Sequence, residues 1–74
     1  MKVKRRRDVV SGCSASQFAV RLRRIAEAVE KGGRFEVRIA GERVNVPSNA
    51  VFSIEHEREG KNEEIEFQIT WQRT

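Results

Sequence analysis

The sequence predicts an α+β domain: one helix packed on one face of an antiparallel-rich sheet, in the order β-α-β-β-β-β. Three observations carry this. Phe18, Leu22, Ile25, Ala26 and Val29 recur at offsets 0, 4, 7, 8 and 11, which is one apolar helical stripe. Four later runs alternate apolar and polar residues with the period of a half-buried strand. Gly and Pro punctuate the runs where turns are needed.

The elements follow in order. Residues 2–10 (KVKRRRDVV) are the weakest strand. Val3 and Val9 share a parity, but Arg5 and Arg7 sit between them, so this reads as a basic edge strand; edges use charge to resist stray pairing. Ser14 followed by Gln17 fits a capping box, with Ser16 as a competing N-cap, and opens a helix over about residues 15–31. Gly32 and Gly33 end it. Phe35, Val37 and Ile39 alternate, turn at Gly41, and continue through Val44 and Val46 as a hairpin. Pro47 cannot donate to a ladder and closes that strand. Phe52 and Ile54, then a turn at EGKN, then Ile65, Phe67, Ile69 and Trp71 make a second hairpin. The sheet hairpins fill residues 34–72, and the whole of 1–74 is expected to be one domain.

Every aromatic falls on an apolar parity. The expected core is therefore Phe18, Leu22, Ile25, Val29, Phe35, Val37, Ile39, Phe52, Ile54, Ile65, Phe67, Ile69 and Trp71. A stacking platform or a partner contact are the other readings of Trp71, but an aromatic at strand parity is ordinarily core. The opposite sheet face carries Glu36, Arg38, Arg43, Asn45, Ser53, Glu55, Glu66, Gln68 and Thr70. A chain of 74 residues buries only about 60% of its unfolded surface, so nearly all its apolar residues are needed.

With the capped helix, the hairpin and the Trp placed, a family likeness emerges. SASQFAVRLRRIAEAVEKGGRFEVRIAGERVNVP, then AVFSIEHEREG, then EEIEFQITW, resembles the small bacterial and archaeal amphi-Trp domain family. The carrying features are the short amphipathic helix, the arm ending at Pro47, the SIEHE strand and the terminal strand closing on Trp71. The resemblance implies a free-standing small domain. It brings no catalytic residue set with it.

Chemistry is sparse. With one His, one Cys and no Tyr, no catalytic, cofactor or metal site is expected, and the chain is read as a non-enzyme. Glu55 and Glu57 flank His56 in a strand and point away from it, so His56 reads as a rim histidine paired with a carboxylate across the sheet. Cys13 precedes a helix N-terminus, where a thiol pKa can fall, but nothing else suggests redox work. A single Cys suits a reducing compartment, no apolar leader follows MKVKRRR, and no membrane span is present, so the expected address is cytoplasmic.

Charge carries what functional colour there is. The net charge is +4, but residues 1–24 hold eight Lys/Arg against one acid, while residues 25–74 hold ten Glu against seven Lys/Arg. Two roles follow. The first is a small interaction module for a protein partner or for self-association as a homodimer. The alternative is weak, sequence-independent nucleic-acid binding through Lys2, Lys4, Arg5, Arg6, Arg7, Arg21 and Arg24. The polar sheet face lacks aromatics on which bases could stack, which weighs against the alternative.

Overall fold

A computed structural model describes residues 12–73. Its elements are α1 (Ala15–Lys31), β1 (Phe35–Ile39), β2 (Glu42–Val46), β3 (Val51–Glu59) and β4 (Asn62–Thr70). The class is α+β. The edge strand expected over residues 2–10 lies outside the described residues.

The helix begins as its sequence requires. The Ser14 hydroxyl accepts from the Gln17 amide at 3.2 Å, and the Gln17 side chain accepts from the Ser14 amide at 3.1 Å. This reciprocal pair satisfies two of the donors that a helix start leaves open. Ser16, the competing cap, falls inside the helix. At the other end, Gly32 sits at φ 78°, ψ 174°, a conformation essentially restricted to glycine.

Both hairpins keep the predicted parity. In the first, Phe35 lies opposite Val46 and Val37 opposite Val44. In the second, Phe52 lies opposite Ile69, Ile54 opposite Phe67 and His56 opposite Ile65. Each closes through two residues. Gly60 alone has positive φ (60°) at the β3–β4 turn, the pattern of a type II′ turn. At the β1–β2 turn both Ala40 (φ 48°) and Gly41 (φ 81°) are positive, the pattern of a type I′ turn.

Ala40 is therefore a local compromise. An L-residue with a Cβ costs about 1 kcal/mol in the left-handed region, where Asn is tolerated. Ala40→Asn creates the Asn-Gly pair that this turn favours, and is expected to raise stability by about 0.5–1 kcal/mol. Urea denaturation checks it; a variant no more stable than the parent contradicts the turn assignment.

The sheet itself differs from expectation. The four described strands form two two-stranded sheets, β1–β2 and β3–β4. Pro47 ends β2, and the chain turns at once, with the Ala50 amide donating to the Pro47 carbonyl at 3.2 Å. Among the described elements, α1 packs on β1, while β3 and β4 contact one another and stand off from the helix.

The predicted core is corrected accordingly. Val46, at 2% exposure, is the buried hydrophobic of the described residues. Leu22, Ile25, Phe35, Val37, Ile69 and Trp71 are half-buried. Phe18, Val29, Ile39, Phe52, Ile54, Ile65 and Phe67 are exposed. The cause is the stand-off: the stripe of α1 meets only β1, so nothing among the described residues covers the apolar face of the second hairpin.

Candidate interaction surface

The second hairpin has two unlike faces. One carries Phe52, Ile54, His56 and Arg58 from β3 against Ile69, Phe67, Ile65 and Glu63 from β4. On it Ile54 is 72% exposed, Ile65 65%, Phe67 59% and Phe52 51%. A fully exposed side chain of this size shows roughly 200 Å², so these four leave roughly 500 Å² of apolar surface bare, near the upper end for a monomer.

Across from this face runs the stripe of α1. Leu22, Ile25, Ala26, Val29 and Glu30 on the helix, with Phe52, Ile54, Phe67 and Ile69 on the hairpin, line an open cleft of about 760 Å³. Its walls are almost wholly hydrocarbon. Glu30, Ser53 and Gln68 are its polar members. Beyond the cleft, at the far end of the hairpin, the apolar parity runs out. There the ring of His56 meets a Glu63 carboxylate oxygen across the strands at 2.7 Å, and the Arg58 guanidinium donates to the same oxygen at 3.0 Å. This is the cross-sheet carboxylate expected for His56. These two bonds, the imidazole's first, hold the Glu63 carboxyl below its usual pKa.

The other hairpin face is acidic. Glu55 lies directly opposite Glu66, and Glu57 opposite Glu64. Like charges placed directly across a ladder repel. The Glu64 carboxyl is pushed up, first by Glu66 two residues along the same strand, with Glu57 and Glu55 across the ladder adding to it. Nearer the root, Ser53 donates to the Gln68 side chain at 3.1 Å, and Gln68 donates to Glu66 at 3.2 Å.

A second, smaller pocket of about 360 Å³ joins the two hairpins. Trp71, one residue past β4, lines it with Arg34, Asn45, Val46, Pro47 and Asn49. The aromatic stacking reading of Trp71 finds no row of bases' worth of rings here; the indole sits half-buried at the junction.

A family model for the Amphi-Trp domain matches residues 4–74. The chain belongs to the amphi-Trp domain family. No curated protein and no solved structure matches it.

In this amphi-Trp domain the residues singled out from sequence separate into distinct places. Lys2, Lys4, Arg5, Arg6 and Arg7 lie outside the described residues. Arg21 and Arg24 line a groove of about 480 Å³ between α1 and β1, beside Glu36 and Arg38. Cys13 is exposed ahead of the helix. Among the described residues, no group of three or more His, Cys, Asp or Glu side chains is placed to hold a metal ion. No described helix is long and apolar enough to cross a membrane. What sequence reasoning missed is the cleft. Each wall was legible as an apolar stripe, but alternation alone assigned both stripes to a closed core.

Proposed function

We propose that this amphi-Trp domain is a non-catalytic intracellular interaction module whose working surface is the apolar cleft between α1 and the β3–β4 hairpin. The observation that carries this reading is the exposure of Phe52, Ile54, Ile65 and Phe67 on one strand face. A bare hydrocarbon face of that size on a chain this small marks a binding surface more often than a catalytic one. Its walls carry few groups able to move protons or attack a substrate, which fits docking and not turnover. The ligand class that matches is a protein surface with an apolar patch. The nucleic-acid alternative gains no comparable support, because Arg21 and Arg24 face the β1 groove and the cleft itself is uncharged over most of its length.

The test is site-specific photo-crosslinking in cells that make the protein, with the reactive side chain placed at Phe67 or, as a control, at Lys61 in the β3–β4 turn. A discrete protein adduct from position 67, absent from position 61, is the expected result. No adduct at 67, or equal yields from both positions, overturns the reading.

A further inference from the structure

We infer that the occupant of the cleft is a second copy of this chain, arranged so that each copy's β3–β4 hairpin lays its apolar face on the other copy's α1 stripe. The inference rests on the binding role proposed for that cleft and names the partner.

The first argument is incompleteness. A two-stranded hairpin is at best marginal in water; it needs a third strand or a packed helix on its apolar face. Among the described residues β3–β4 has neither. The stripe of α1 has the matching defect, with Phe18 at 51% and Val29 at 36% exposure. Among the described residues, one copy thus displays both halves of a helix-on-sheet layer, unjoined. Two copies related by a two-fold axis join both pairs at once, because the contact is reciprocal: helix to hairpin and hairpin to helix. The roughly 500 Å² bare on each hairpin makes about 1,000 Å² over two copies, and the helix stripes that meet it carry the total past the roughly 1,200 Å² lower bound of stable interfaces.

Charge decides which surfaces meet. Helix α1 carries four cations (Arg21, Arg23, Arg24, Lys31) against Glu27 and Glu30, net +2. The β3–β4 hairpin carries six Glu against Arg58 and Lys61, net −4 with His56 neutral. Three pairings of the exposed apolar surfaces are available. Hairpin on hairpin, face to face or edge to edge, sets two −4 elements about 10 Å apart or closer, within a Debye length at ordinary salt. Helix on helix sets two cationic elements together. Helix on hairpin alone brings elements of unlike net charge together.

Sedimentation equilibrium of the full chain tests this, run over a range of concentrations at about 50 mM and about 500 mM salt. A monomer–dimer equilibrium that weakens several-fold on going to high salt is expected. Ile54→Glu is expected to weaken pairing at least tenfold, and far-UV circular dichroism checks that the variant keeps its fold, since Ile54 is 72% exposed within one copy. Should that variant unfold, Arg23→Glu at an exposed helix position serves instead, with pairing expected to weaken several-fold. Pairing that tightens with salt overturns the helix–hairpin arrangement in favour of hairpin–hairpin contact. A single-copy mass at every concentration overturns the second copy altogether. In that case a photo-adduct at Phe67 of other than twice the chain mass leaves the docking role standing, and absence of any adduct removes both.

Discussion

Val46→Asp is expected to abolish the cooperative fold, and Val46→Ala to cost about 2 kcal/mol. Val46 is the residue at 2% exposure, opposite Phe35 in the first hairpin and beside Pro47 at the junction with the second. Truncation to Ala removes two methyl groups from the most enclosed point of the described structure. An aspartate there faces a worse choice. Kept charged, it gives up most of its water; kept neutral, it still puts a polar group where two methyl groups packed. A domain of this length has a total stability of about 4–11 kcal/mol, so the aspartate consumes most or all of it. Urea denaturation followed by circular dichroism reads both variants. Ile54→Ala, a larger truncation at an exposed position, is the counterpart: in dilute solution it should shift the midpoint far less. A cooperative Val46→Asp protein, or an Ile54→Ala penalty exceeding that of Val46→Ala, contradicts the burial pattern described here.

That contrast shows how far the sequence could be read. Alternation specifies which face of a strand a residue occupies, because successive side chains point to opposite faces whatever lies beyond them. The central pairs of the second hairpin bear this out: Phe52 with Ile69, Ile54 with Phe67, Glu55 with Glu66. The helix bounds and its Ser14–Gln17 box were equally local, so they were legible too. Whether the two hairpins share an edge is a non-local matter. Period two is the same for a strand covered by a helix and for one left bare, which is why Ile54 and Phe67 were assigned to a core. The acidic bias of residues 25–74 was visible as composition. That Glu57 and Glu55 face Glu64 and Glu66 across the ladder, adding to the push that Glu66 gives Glu64 along its own strand, required the register. Ala40 was hidden for a related reason: Gly41 announces a turn, but only the two-residue loop forces its neighbour to positive φ as well.

Trp71→Ala is the second substitution with a large expected effect, and its signature differs from that of Val46. Trp71 follows the last strand directly and shares a pocket with Val46, Pro47 and Asn49, which belong to the end of β2 and the connection into β3. With two separate sheets and a helix that packs on β1, this junction is where the second hairpin is tied to the remainder of the described chain. A fully buried Trp costs about 3–5 kcal/mol on truncation; half-buried, Trp71 should cost about 2 kcal/mol. The more telling change is in cooperativity. If the indole is the tie, its removal lets the hairpins respond to denaturant independently, so the apparent m-value falls along with the midpoint. Val46→Ala, which weakens one body without severing the link, should lower the midpoint and leave m nearly unchanged. Trp71→Phe keeps a ring in the pocket and should restore about half of the loss and most of the slope. A Trp71→Ala protein with an unaltered slope would mean that the hairpins are coupled elsewhere, and the cleft between α1 and β3–β4 would be the first place to look.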